Sequence, residues 1–255
     1  MPAPQNTFKK ALVGGETVFG CWMSFAEACT AEVMGHAGFD WLLIDGEHSA
    51  NDIRSIRDQI VALKDTSSDI VVRVPVGETW IIKQALDMGA QSILVPMVET
   101  AEQARELVKA CRFPPEGTRG VGYGVGRVSN FGQMSDYGQT ADEQICLVVQ
   151  VESKIGLENL EDIVAVDGVD GVFIGPADLS ASLGYLGQTM HPDMQETILS
   201  ALTRISDGGK APGILTTDDG MIKASLDAGA RFVAVAMDIA LLLKSGKSVA
   251  AKWKG

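Results

Sequence analysis

Apolar residues along this chain gather into eight short runs: Val18–Met23, Trp41–Asp45, Ile70–Val74, Ser92–Pro96, Ile145–Val151, Gly171–Gly175, Pro212–Thr216 and Arg231–Met237. Most are nearly continuous in Val, Ile and Leu, the pattern of parallel strands covered on both faces. Between them lie stretches of helical period: Ala26–His36, Asn51 to about Lys64, Thr79–Met88, Ala101–Cys111, Lys154–Val164, Pro192–Ser206 and Asp218–Asp227. A short helix over Phe8–Val13 precedes the first strand, and a last helix begins over Ile239–Ser245. Asn51 is the expected N-cap of its helix. Phe113-Pro114-Pro115 stops the helix before it. The glycine-rich segment from Glu116 to about Thr140 reads as a loop, long enough for a function to be expected of it. Pro176–Met190 reads as another loop.

Strand and helix therefore alternate eight times. Ala37-Gly38-Phe39, Met88-Gly89-Ala90 and Ala228-Gly229-Ala230 each end a helix just before a strand, as a glycine that takes a left-handed turn would. No stretch of linker composition divides the 255 residues, and that length suits an eight-fold βα unit. The expected fold class is α/β, a (β/α)8 TIM barrel forming one domain over residues 1–255.

Composition narrows the function classes. A net charge of −12 argues against nucleic acid or an anionic membrane surface as partner. The four cysteines form no CxxC, and Cys21 and Cys146 sit within apolar runs as small core residues. Met1–Asn6 lacks a basic region followed by an apolar one, so no signal peptide is expected, and no run approaches a membrane span. A cytoplasmic protein is expected.

Chemistry concentrates where strands end. The second strand runs into Asp45-Gly46-Glu47-His48, and parallel α/β folds present their sites at strand C-termini. His48 is the candidate general base; His36, at a helix end, and His191, before Pro192, read as structural. On the fifth strand, Gln150 and Glu152 share a face with Cys146 and Val148. A glutamate there must be paired, bound to a cation or solvated. Asp178, beyond the sixth strand, is either a helix N-cap or the second carboxylate of a two-carboxylate site. Such a pair, without cysteine or histidine, suits a hard cation that also takes oxygens from its substrate: Mg²⁺, Mn²⁺ or Co²⁺. Arg73 interrupts an apolar run and needs an anion, either a substrate carboxylate or a protein one such as Asp45 or Glu47. Asp87 opposes the dipole of the helix it ends, so something must hold it there. The run Arg119–Arg127 lacks GxGxxG spacing and reads as a mobile loop.

These stretches together resemble the HpcH/HpaI aldolases, the metal-dependent class II pyruvate aldolases. The resemblance runs through Gly38–His48, Val72-Arg73-Val74-Pro75, Ile93–Val98, Arg119-Gly120-Val121-Gly122, Gln150-Val151-Glu152 and Gly171–Ser180. It implies that Glu152 and Asp178 hold a divalent metal, with no organic cofactor. It implies His48 as base and Arg73 on the oxygens of a bound 2-oxo acid, within a substrate-binding set of Arg73, Gln150, Ala177, Asp178 and Trp22. Asp45 and Glu47 would position His48 or water at the metal. Asp87 is similar to an acid that a neighbouring subunit supplies to the histidine, in a homo-hexamer built as a trimer of dimers with an exchanged C-terminal helix. The implied reaction is cleavage of 4-hydroxy-2-oxo acids to pyruvate and an aldehyde, and the reverse addition of pyruvate or hydroxypyruvate. Ser49-Ala50 and Tyr123–Gly126 depart from the pattern, and the tail after the eighth strand reads as short.

Three rivals stand beside this reading. A Schiff-base aldolase needs a lysine at a strand end, where only Lys154 qualifies. A citramalyl- or malyl-CoA type lyase on the same barrel needs a basic cluster, and none is evident. A catalytically silent 2-oxo-acid binding protein would be expected to lack the base, but His48 is present.

Overall fold

The computed structural model describes residues 1–254. Helix α1 (Thr7–Val13) precedes the barrel, and β1 (Val18–Met23), α2 (Ala28–Gly35), β2 (Trp41–Asp45), α3 (Ile53–Ala62), β3 (Asp69–Arg73), α4 (Thr79–Asp87), β4 (Ser92–Val95) and α5 (Ala101–Cys111) form its first half. Then come α6 (Tyr137–Gln144), β5 (Cys146–Val151), α7 (Lys154–Glu158), α8 (Leu160–Val164), β6 (Gly171–Ile174) and α9 (Pro176–Ser182). The chain ends with α10 (Pro192–Asp207), β7 (Ala211–Leu215), α11 (Asp219–Asp227), β8 (Phe232–Met237) and α12 (Asp238–Lys254). The eight strands pair in parallel and in chain order, and β8 returns to pair with β1, closing a (β/α)8 TIM barrel.

Period-two alternation splits each strand between two cores. Trp41, Leu43, Val71, Leu94, Val148 and Phe173 point into the barrel, while Leu42, Ile44, Val72, Ile93, Val149 and Val172 face the helices. Helix α1 closes the barrel floor. Its Phe8 ring lies 5.7 Å from that of Trp41 and 5.8 Å from that of Phe232. Aromatic and aliphatic side chains thus fill most of the floor and the middle, where Asn6 donates to Ser92 Oγ at 3.0 Å, and the strand C-termini are left for chemistry. Gly38, Gly89 and Gly229 all hold positive φ, at 90°, 107° and 99°, so the repeated junction is a turn that favours glycine. Cys21 and Cys146 are buried, and burial pushes the Cys21 thiol up to about 12. Among the described residues no helix is long and apolar enough to cross a membrane.

Several elements differ from the sequence expectation. Asp52, not Asn51, caps α3, accepting from the amides of Arg54 at 2.8 Å and Ser55 at 2.9 Å in a capping box. The Glu116–Thr140 loop contains a 3-10 turn at Arg127–Ser129 and the start of α6; Tyr137 and Ala141 give that helix a buried edge too short to show as a period. Pro176 opens α9 directly rather than a loop, a position that its fixed φ suits. The Lys154–Val164 helix is interrupted at Asn159. The last helix, expected to begin over Ile239–Ser245, starts at Asp238 and runs to Lys254.

Candidate active site

Residues at the C-terminal ends of β1, β2, β3, β5 and β6 build the site. At the end of β2, Asp45 is 2 % exposed and acts as a hub. Its Oδ1 accepts from the amides of Glu47 at 3.0 Å and His48 at 3.2 Å and from Arg73 Nε at 2.9 Å. Its Oδ2 accepts from Arg73 Nη2 at 2.7 Å and Trp22 Nε1 at 3.1 Å. Burial alone would raise its pKa, but the Arg73 guanidinium, with the Glu47 amide and the Trp22 indole, outweighs burial and holds the carboxyl below its ordinary value. Asn51 ties the same turn from behind, donating to the Asp45 carbonyl at 2.7 Å and to Ser49 Oγ at 2.9 Å. Its side-chain oxygen accepts from Ser55 at 2.7 Å and Gln59 at 2.6 Å, so it anchors the turn instead of capping a helix.

Arg73, at the end of β3, has protein carboxylates as its partners. Besides Asp45, its Nη1 lies 2.7 Å from Glu47 Oε2, and its guanidinium sits 4.7 Å from the Trp22 ring centroid. Trp22 is buried and forms the floor beneath this pair. His48 is exposed, with Nε2 3.8 Å from Glu47 Oε2. Asp45 thus holds the backbone of His48, while the ring stands free at the barrel mouth.

The end of β5 carries the second group. Glu152 is 3 % exposed; its Oε1 accepts from the Met97 amide at 2.9 Å and its Oε2 from Gln150 Nε2. Gly175, at the end of β6, admits this carboxylate: a Cβ there would stand 2.3 Å from Glu152 Oε2. Burial chiefly, then repulsion from Asp178 and Glu47, pushes the Glu152 carboxyl up to about 7 against the two hydrogen bonds. Asp178 lies exposed in the first turn of α9, where Gly175 rather than Asp178 is the N-cap. Burial likewise raises Glu47 despite Arg73, with Asp45 and Asp178 adding to the rise. Gln150 Oε1 is buried without a donor. Two cavities flank the carboxylates, one of about 490 Å³ lined by Glu47, Val76, Pro96 and Met97, the other of about 310 Å³ lined by Ala177, Leu215, Thr216 and Met237. Among the described residues no three His, Cys, Asp or Glu side chains form a metal cage; Glu152 and Asp178 are the candidate pair of carboxylates.

The structure brings Trp22, Asp45, Glu47, His48, Arg73, Gln150, Glu152, Ala177 and Asp178 to one barrel mouth. It does not bring Asp87 there. Asp87 ends α4, at the barrel's opposite face, where the fully buried Arg119 donates to its Oδ1 at 3.1 Å. That ion pair compensates an acid set against the helix dipole. Lys154 is an exposed residue of α7, 3.9 Å from Glu158, and stands outside the barrel interior. His191 accepts from the Asp193 amide as the cap of α10.

Residues 18–245 match the family model described as HpcH/HpaI aldolase/citrate lyase. The chain belongs to the HpcH/HpaI aldolase/citrate lyase family. A hydroxypyruvate/pyruvate aldolase of Roseobacter denitrificans is 77% identical over 254 residues, covering 100% of this chain and 99% of its own. A 4-hydroxy-2-oxovalerate aldolase of Rhodococcus jostii is 51% identical over 99% of this chain and 98% of its own. The crystal structure of a family member from Burkholderia cenocepacia has a TM-score of 0.95 at 40% identity, covering 98% of this chain and 100% of that one. The protein is accordingly a lyase of this family, built on a TIM barrel.

Sequence reasoning gave no role to Met97 and mistook that of Asn51. Met97 acts through its main chain, and no residue type announces that. Asn51 follows a carboxylate-rich strand end, and that context was the available signal that its amide would serve the turn.

Proposed function

We propose that this HpcH/HpaI aldolase is of the divalent-metal class, cleaving 4-hydroxy-2-oxo acids to pyruvate and an aldehyde and running the reverse addition with pyruvate or hydroxypyruvate. The observation that carries the reading is Glu152: a buried carboxylate whose neighbours are two more carboxylates and whose donors are both uncharged. A buried charge in that setting calls for a cation. Glu152 and Asp178 would hold Mg²⁺, Mn²⁺ or Co²⁺, since hard ions take oxygen ligands and leave places for substrate. When bound, the cation supplies Lewis-acid activation of the 2-oxo acid.

The chain's own residues do the rest. His48, free at the mouth, moves the proton at C3 of the pyruvate unit. Arg73, fixed by Asp45 and Glu47, directs positive charge at the oxygen on which negative charge develops, without reorganising. Gln150 Oε1 and the first-turn amides of α9 near Ala177 are free to orient the substrate. Asp87 would serve the histidine of a neighbouring subunit, in a hexamer assembled as a trimer of dimers. In support, α12 exposes Leu242, Leu243, Val249 and Trp253 at 64%, 55%, 60% and 78%, as a helix meant for another copy would.

Metal-stripped protein is expected to release no pyruvate from 4-hydroxy-2-oxo acids and to regain activity when Mg²⁺, Mn²⁺ or Co²⁺ is added singly. Inactivation by borohydride plus pyruvate, with full activity in EDTA, would show a Schiff-base enzyme instead.

A further inference from the structure

Strand β4 ends irregularly beside Glu152. The pairs Ser92↔Cys146 through Val95↔Val149 set the register with β5. Continued, that register would place the Met97 amide on the Gln150 carbonyl, because parallel ladders bond alternate residues. Instead Val98 donates to Gln150 O at 3.0 Å, one residue late. Met97 is left out of the ladder as a bulge, with φ +55°, a conformation that L side chains rarely adopt. Its freed amide donates to Glu152 Oε1. The Met97 side chain contributes little packing, being 49% exposed. Bulges beside active sites re-aim single groups, and unusual backbone conformations collect where function uses them.

We propose that Met97 is a positioning residue whose left-handed backbone aims its amide at Glu152 and so sets the orientation in which that carboxylate meets the divalent cation. This rests on Glu152 being a metal ligand. Hydrogen bonds behind a ligand fix its orientation, and their loss typically weakens metal binding by about 10–100-fold. The requirement falls on the backbone at position 97 and not on the methionine side chain. The Met97 amide on Oε1 and Gln150 Nε2 on Oε2 hold Glu152 from two sides, and Gly175 leaves room for Oε2.

The test is Mn²⁺ affinity of the metal-stripped full chain, read from free Mn²⁺ by electron paramagnetic resonance. Met97→Asn and Met97→Gly, which tolerate positive φ, are expected to bind within about threefold of the parent. Met97→Val and Met97→Thr, whose branched side chains resist it, are expected to bind about 10–100-fold more weakly. Thermal melts of the metal-free variants confirm that the barrel is intact. An independent measurement uses the parent backbone: exchange of the Met97 amide hydrogen should accelerate at least tenfold in Glu152→Ala. A folded Met97→Val with parental Mn²⁺ affinity, or an unchanged Met97 exchange rate in Glu152→Ala, overturns the proposal. Glu152→Gln separates the two levels. If it binds Mn²⁺ like the parent, the metal-ligand reading falls. If it binds weakly while Met97→Val does not, only the role of Met97 falls.

Discussion

Glu152 shows how much of an active site can be decided by what a neighbour lacks. Gly175 has an ordinary φ of −91°, so glycine is not required there for the backbone. It is required by space, because a Cβ would collide with Glu152 Oε2 at 2.3 Å and approach Gln150 Nε2 at 2.9 Å. Gly175→Ala should therefore displace the carboxylate while leaving the barrel folded. We expect kcat/KM to fall by about 10–100-fold, the range for disturbed metal-ligand support, with parental circular dichroism. Parental kcat/KM would mean that Glu152 can retreat without consequence. At this scale the sequence was informative where a side chain does the work. Arg73 in an apolar run announced its need for an anion, and Glu152 and Asp178 announced themselves as strand-end carboxylates. Met97 and Gly175 act through an amide and through an absence, and neither leaves a mark in residue type.

Elements were legible in proportion to how locally they are determined. The eight strands could be read because each is an apolar run enclosed on both faces. Helix ends depend on which of two adjacent polar side chains turns toward the first amides, and Asn51-Asp52 offers both. Asp52 takes the cap, since Asn51 is already committed to the Asp45 carbonyl. This division of labour is testable. Asp52→Ala should lower the urea midpoint, because a lost N-cap leaves first-turn amides without an acceptor, with kcat unchanged. Helix α6 and the extension of α12 could not be read locally. The first is short and only weakly amphipathic, and the apolar side chains of the second find few partners within the chain.

For the whole molecule, closure of the barrel places every strand C-terminus on one rim, so residues from β1, β2, β3, β5 and β6 meet although the sequence spreads them from Trp22 to Asp178. The same closure sends Asp87 and Arg119 to the other face. A role for Asp87 in catalysis therefore requires a second copy, and in the proposed hexamer the exposed apolar side chains of α12 would meet it. If the proposed hexamer forms through α12, Leu242→Asp combined with Leu243→Asp should reduce it to a smaller species by multi-angle light scattering, with loss of activity. An unchanged mass would remove α12 from the assembly.

The Asp45 hub has one more consequence, for how this protein can vary. Its carboxylate receives Arg73, Trp22 and the amides that carry Glu47 and His48. Effects of substitution at sites that share one partner do not add. Asp45 should therefore tolerate no single replacement in a mutational survey, and tolerance at position 22 or 73 should depend on the residue at the other. Change in this corner has to arrive in concert, so diversification of the enzyme is channelled into the two cavities beside the carboxylates, where side chains such as Val76 and Thr216 share no such common partner.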